Sequence, residues 1–167
     1  MFRKVDDFLK SYDFESKSTQ KLLDALTDSS LKQRVSDGHR TLGNAAWHIV
    51  ATVPEMMGHT GLTVTGPEPT TPTPASAKTI ADTYRSVSAS LAEQIKANWS
   101  DETLEVKDDL YGEQWARGMT LGALINHEIH HRGQMTVLMR QAGLRVPGIY
   151  GPAQEDWASM GMEAPPE

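Results

Sequence analysis

The sequence contains no cysteine. The chain therefore has no disulfide, no thiolate ligand for a metal ion and no cysteine nucleophile. Any bound metal must be held by nitrogen or oxygen atoms, and any thiol chemistry must use a thiol that a substrate brings.

Long apolar segments are also missing. No run of about 18 apolar residues occurs, which predicts that no helix spans a membrane. Residues 1–14 mix both charge signs with apolar side chains and lack the apolar stretch and cleavage site of a signal peptide. We expect a cytoplasmic protein with no membrane partner.

Basic clusters are absent as well. The 22 acidic and 16 basic side chains give a formal charge of −6, and the basic residues form no block. Binding to a nucleic-acid backbone requires clustered Lys and Arg that displace counterions from the phosphates. Nucleic acid is therefore not expected as a partner.

Apolar side chains recur at helical spacing along the chain. Its length of 167 residues predicts a single domain that covers residues 1–167. Thr41 is the expected N-cap of the second helix, and Gly143 the expected left-handed cap of the fourth. Four segments have the helical spacing, and their predicted bounds are about 5–26, 42–58, 80–99 and 120–143.

The connections differ in composition. Residues 60–77 contain four of the nine prolines, which favours extended backbone and predicts a long crossover between helices two and three as parallel neighbours. Residues 28–40 are polar and predict a connection with a short helical turn. Residues 103–118 suit either a small hairpin with a turn at Tyr111-Gly112 or an irregular loop. The fold class predicted is all-α, a four-helix bundle.

Histidines occupy two core positions of the fourth helix. His127 and His131 lie four residues apart and so project from one helix face, a spacing that chelates one cation. His48 is the candidate third ligand because it lies within an apolar helix, whereas His39 and His59 lie beside glycines at connections. Each histidine could instead be an ordinary core or surface residue, and His130 points to another side of the helix.

Residues 127–131 also match His-Glu-x-x-His, in which the glutamate of a zinc peptidase activates water. Glu128 is on this basis a candidate catalytic residue, and Glu155 a possible downstream ligand. The extended form of the motif fails because Gln134 and Val137 replace its glycine and histidine. A zinc peptidase is therefore the less favoured alternative.

Three segments together resemble the DinB and YfiT-like family of metal-dependent hydrolases. They are residues 127–135 (HEIHHRGQM), residues 42–49 (LGNAAWHI) and residues 146–152 (VPGIYGP). The resemblance spans nearly the whole chain. It implies a bundle with a long second-to-third crossover, a metal site formed by His48, His127 and His131 with an open position, and a homodimer.

The resemblance also bears on function, since relatives in the wider superfamily are thiol-dependent S-transferases or isomerases. It implies transfer of a low-molecular-weight thiol to a small molecule, or hydrolysis of one, in stress response or detoxification. Nickel, zinc, iron or manganese would suit three imidazoles. The alternative is a non-enzymatic stress protein in which the metal only stiffens the bundle.

Several other side chains are candidates for supporting roles. Polar residues that could orient ligands or move protons are Glu128, Asn44, Glu55 and Gln134. Aromatic residues that could line a pocket are Trp47, Trp115 and Tyr150.

Overall fold

The structure, a computed structural model, describes residues 1–166 and contains four long helices and one hairpin. Short 3₁₀ turns cover Ser30–Lys32, Glu102–Glu105, Gln154–Asp156 and Ala158–Met160. The long elements are α1 (Val5–Asp24), α2 (Leu42–Gly58), α3 (Ala77–Asn98), β1 (Lys107–Leu110), β2 (Glu113–Ala116) and α4 (Arg117–Gln141).

Caps determine where α2 and α3 begin. The Thr41 hydroxyl accepts a hydrogen bond from the Asn44 amide at 3.1 Å, and the Asn44 side chain accepts one from the Thr41 amide at 3.4 Å. The predicted bounds of α2 are confirmed, and the helix continues through Pro54. Helix α3 begins earlier than predicted because the Ser76 side chain accepts from the Thr79 amide and caps it.

Helix α4 ends as its sequence predicted. Gly143 has φ +74°, the left-handed conformation that costs glycine least. The Leu144 amide then donates to the Met139 carbonyl at 2.9 Å, which satisfies a carbonyl of the last helical turn.

Each helix packs against two others, in the ring order α1, α3, α2, α4. The directions follow from contacts at known positions along the helices. Between α1 and α4 the contacts join Phe2 with Gly118 and Glu15 with Arg132. Between α1 and α3 they join Val5 with Asp101 and Gln20 with Ala81. Helix α4 thus runs parallel to α1, and α3 runs antiparallel to it.

Helix α2 runs antiparallel to α4, since Gln33 before α2 reaches Gln141 at the end of α4. Helices α2 and α3 therefore run in the same direction, as the long crossover predicted. Gly66 in that crossover lies against both helices, because a Cβ added there would lie 2.9 Å from side-chain atoms of Pro54 and Val87. Only glycine allows so close an approach.

Residues 107–116 form a hairpin, which was one of the two alternatives predicted for this segment, the other being an irregular loop. Tyr111 and Gly112 have φ of +57° and +88°, as the two central residues of a type I′ turn require. Strand β2 leads directly into α4 at Arg117. Helix α4 consequently begins earlier than the predicted Thr120.

The interior between the helices is mainly apolar, and every helix contributes buried apolar side chains to it. Polar side chains of α1, α3 and α4 interrupt it at Thr19, Tyr84 and Glu128. Among residues 1–166 no helix is long and apolar enough to cross a membrane.

Candidate metal centre

Three histidine side chains converge between α2 and α4. The Nε2 atom of His127 lies 3.1 Å from Nε2 of His48 and 3.1 Å from Nε2 of His131. One nitrogen atom of each ring lies within 4.8 Å of those of the other two. The structure thus places together the three histidines that the sequence singled out.

Helix geometry explains this convergence. His127 and His131 are one turn apart and lie on the same face of α4, while His48 projects from the neighbouring α2. The rings meet edge to face, with centroids 4.4 to 4.9 Å apart. The three rings therefore come together at one point between α2 and α4.

The donor chemistry fits a cation at that point. A tetrahedral zinc ion with Zn–N bonds of about 2.0 Å separates its nitrogen ligands by about 3.3 Å, close to the 3.1 Å found here. An imidazole nitrogen has one lone pair or one proton, so Nε2 of His127 cannot form good hydrogen bonds to both neighbours. A shared cation satisfies all three nitrogen atoms at once.

Gln134 fixes the orientation of one imidazole. Its Oε1 lies 2.8 Å from Nδ1 of His131, and because an amide oxygen only accepts, Nδ1 must donate. Nε2 of His131 then has a free lone pair for a metal ion. The same amide places its nitrogen 3.0 Å from Nε2 of His130.

The other two imidazoles have weaker support. Nδ1 of His48 lies 3.5 Å from the Thr52 hydroxyl. Nδ1 of His127 is buried and has no hydrogen-bond partner among the described residues. The support for the three ligands is therefore strongest at His131.

Burial keeps the three imidazoles neutral. Partial burial, with the positive charge of Arg40 and the neighbouring imidazoles, lowers the pKa of His48 to about 4. Burial and the neighbouring histidines lower the pKa of His127 to about 4, although the negative charge of Glu55 opposes this. Burial also lowers the pKa of His131. Neutral imidazole is the form that binds metal.

Glu128 faces the bundle interior and not the histidines. Its Oε2 accepts hydrogen bonds from the Thr19 hydroxyl at 3.0 Å and the Tyr84 hydroxyl at 2.9 Å, and the residue is fully buried. Burial raises its pKa to about 7. A catalytic role for Glu128 stays a prediction, but these contacts give no support to the peptidase mechanism, in which this carboxylate must reach a water bound to the metal.

The remaining polar candidates have different surroundings. Asn44 caps α2 and donates to the Thr73 hydroxyl at 3.0 Å. Glu55 accepts a hydrogen bond from the Tyr111 hydroxyl at 2.8 Å, which ties the hairpin to α2. Glu155 pairs with Arg140 on the surface and is not part of the histidine cluster. The predicted supporting residues were Glu128, Asn44, Glu55 and Gln134, and among them Gln134 contacts a histidine of the cluster.

The aromatic candidates contact other parts of the chain. The Trp47 indole donates to the Thr71 carbonyl of the crossover, and the Trp115 indole donates to Glu113. The Tyr150 hydroxyl binds the buried Glu15 and Arg132. These contacts stabilise the crossover, the hairpin and the segment after α4, respectively.

Sequence reasoning missed Arg40. Its guanidinium contributes to the lowered pKa of all three cluster histidines, so its charge lies near them. It also lines a pocket beside His131. Arg40 precedes the cap of α2 in an irregular segment, where no periodicity predicts the direction of a side chain.

Comparisons with known proteins agree with this fold. Residues 1–166 match the model of the DinB family. The chain is 51% identical over 165 residues to the uncharacterized protein YrdA of Bacillus subtilis strain 168, and the match covers 99% of both chains.

Two crystal structures are also similar. A DinB-like protein from Bacillus cereus ATCC 10987 has 49% identity and a TM-score of 0.87, with 90% of this chain and 100% of that chain covered. The DinB-like protein YjoA of Bacillus subtilis has 18% identity and a TM-score of 0.66, with 88% and 99% covered. The second likeness concerns the fold alone.

Proposed function

Since this chain belongs to the DinB family, we propose that it is a metal-dependent enzyme in which His48, His127 and His131 hold one divalent cation. The reaction proposed is transfer of a low-molecular-weight thiol to a reactive small molecule, with hydrolysis of a small molecule as the second candidate. A role in stress response or detoxification suits either reaction.

The observation that carries the proposal is the convergence of three neutral imidazoles, in which Nε2 of His127 lies 3.1 Å from Nε2 of His48 and 3.1 Å from Nε2 of His131. Structural zinc sites use four protein ligands, whereas a set of three leaves a position for water or substrate. A bound dication would act as a Lewis acid and lower the pKa of a coordinated water or thiol.

The chain's own residues would hold and orient the reacting groups. The absence of cysteine means that the thiol must come from solution. Gln134 holds His131 in the tautomer that leaves Nε2 free. Arg40 adds a positive charge close to the cluster, which favours the anionic form of a thiol or water there.

The metal is tested first. The protein is purified without an affinity tag and its metal content is measured by elemental analysis for nickel, zinc, iron and manganese. We expect about one divalent ion per chain. Protein that neither contains nor takes up such an ion would contradict the proposal.

The reaction is tested next with metal-loaded and chelator-treated protein. One panel combines low-molecular-weight thiols with electrophiles, and a second offers esters and amides without thiol. Turnover in the first panel that disappears on chelation supports thiol transfer, and turnover in the second supports hydrolysis. Metal binding with no turnover in either panel would favour the non-enzymatic alternative.

His48→Ala provides the control for these assays. It removes the ligand of α2 and leaves the α4 motif intact. Turnover that persists in this variant belongs to a contaminant or to another site.

A further inference from the structure

A pocket of about 530 Å³ opens beside the histidine cluster. His131 and Gln134 form its wall on the metal side. The volume falls within the range of about 300 to 1,000 Å³ that is common for small-molecule sites. The pocket therefore gives a small ligand access to the proposed centre.

Much of the pocket wall is apolar. Val35 and Val137 are 67% and 53% exposed, and the buried Ala45 and Leu138 also line the pocket. Exposed aliphatic side chains around a concavity indicate a surface that a ligand covers. The ligand should therefore contain a hydrocarbon part.

The charges of the pocket have one sign. Arg40 lines it, and none of the lining residues is Asp or Glu, although acidic residues outnumber basic ones in the chain. Arg40 forms no ion pair with any residue from 1 to 166. An unpaired guanidinium beside an apolar wall is suited to a carboxylate, which it can bind through two parallel hydrogen bonds.

We propose that this pocket binds a small amphipathic carboxylate, whose anionic group pairs with Arg40 while its hydrocarbon part contacts Val35, Val137 and Leu138. The wall at His131 then places the rest of the molecule beside the histidine cluster. This inference rests on the proposed function for its relevance to catalysis, but binding itself does not require turnover.

The test uses chelator-treated full-length protein, so that a carboxylate cannot be held by a metal. Hexanoate, hexanamide and hexylamine share one chain and differ in the head group. Binding is followed by the NMR signals of the Val35 and Val137 methyl groups. We expect hexanoate to bind at least about tenfold more tightly than either analogue, the gain typical of one charge-assisted contact. Equal binding of all three compounds would overturn the proposal.

Variants locate the anionic group. Arg40→Gln should reduce hexanoate binding to the level of hexanamide, while Arg40→Lys should retain part of the difference. Arg3→Gln is the control: the neighbouring Phe2 contacts Gly118 at the start of α4, whereas the pocket lies towards the other end of that helix, so the affinity should not change. Unchanged hexanoate binding in Arg40→Gln would place the carboxylate elsewhere and contradict the proposal.

A second copy of the chain is the other occupant to exclude. If the valine signals shift with protein concentration and not with hexanoate, this face is a contact between copies and the proposal fails. A failure of hexanoate binding leaves the metal and turnover assays unaffected. Conversely, absence of turnover leaves the hexanoate result standing, so the two proposals fail separately.

Discussion

Nδ1 of His131 lies 2.8 Å from Oε1 of Gln134, one turn further along α4. The contact determines which nitrogen of His131 is available to a metal ion, because the amide oxygen can only accept a hydrogen bond, so Nδ1 carries the proton. The residue that orients the ligand thus belongs to the same helix as two of the three ligands.

Gln134→Leu should weaken metal binding by about 10- to 100-fold without unfolding the protein, which is the usual effect of losing a hydrogen bond to a metal-binding histidine. Gln134 is exposed, so the loss of packing is small. Competition with a chromophoric chelator measures the affinity. The matched control is Gln141→Leu, at an exposed position further along α4. Equal effects of both substitutions would show that Gln134 has no specific role.

Individual histidine substitutions test the ligand set. His48→Ala, His127→Ala and His131→Ala should each abolish stoichiometric metal binding, because two imidazoles remain in each case. His130→Ala should largely preserve it, since His130 contacts Gln134 and lies outside the cluster. Metal content after dialysis provides the measurement. Equal loss in all four variants would contradict the ligand assignment.

Glu128→Gln separates the interior role of this residue from a catalytic one. Removal of a general base typically lowers turnover by about 10² to 10⁴-fold. Since Oε2 of Glu128 accepts hydrogen bonds from Thr19 and Tyr84 and not from the histidine cluster, we expect any metal-dependent turnover to stay within about tenfold of the original. A loss in kcat of the larger size, with metal content unchanged, would support a catalytic role for Glu128.

The stability of the metal-free protein should rise with pH between about 4 and 6.5. The pKa of His48 and of His127 is lowered from 6.5 to about 4 in the folded state. In this window the unfolded chain therefore binds more protons than the folded one, which destabilises the fold as the pH falls. Urea unfolding in the presence of a chelator, from pH 4.5 to 7, measures the slope.

Glu128 contributes to the same pH profile with the opposite sign. Its pKa is raised from 4.5 to about 7, so its contribution to stability is present at low pH and is lost as the pH rises through this range. Glu128→Gln should accordingly steepen the rise, and His48→Asn should flatten it. A slope that neither substitution alters would mean that other groups control the pH dependence.

The positions of the helices and the choice of three histidines as candidate metal ligands could be predicted from the sequence for the same reason. Periodicity along a helix places His127 and His131 on one face, and the apolar neighbours of His48 indicate that it lies within a helix. Local rules of this kind depend on neighbours in the chain and need no knowledge of the fold.

Residues in irregular segments could not be placed in this way. Arg40 and Tyr150 follow no periodic pattern, so their contacts depend on how the helices pack. Glu128 was a candidate through its motif alone, although a position one residue from His127 points about 100° away around the helix. Its partners on α1 and α3 explain its burial better than the motif does.

Two tyrosines of nearly equal exposure should differ in their contribution to stability. Tyr150 and Tyr111 are 64% and 62% exposed. The Tyr150 hydroxyl donates to Glu15 at 2.7 Å and accepts from Arg132 at 2.6 Å, and these two residues form a buried ion pair. The Tyr111 hydroxyl donates only to Glu55, in an exposed contact.

Tyr150→Phe should therefore lower the free energy of unfolding by about 1 to 3 kcal/mol, because water cannot readily replace a hydrogen bond to a buried charge. Tyr111→Phe should cost less than about 0.5 kcal/mol, since water can bind the Glu55 carboxylate instead. Urea unfolding of both variants at pH 7 makes the comparison. If the two costs are equal, the buried ion pair of Glu15 and Arg132 does not depend on Tyr150, and other contacts hold the segment after α4, such as the ion pair of Arg140 with Glu155.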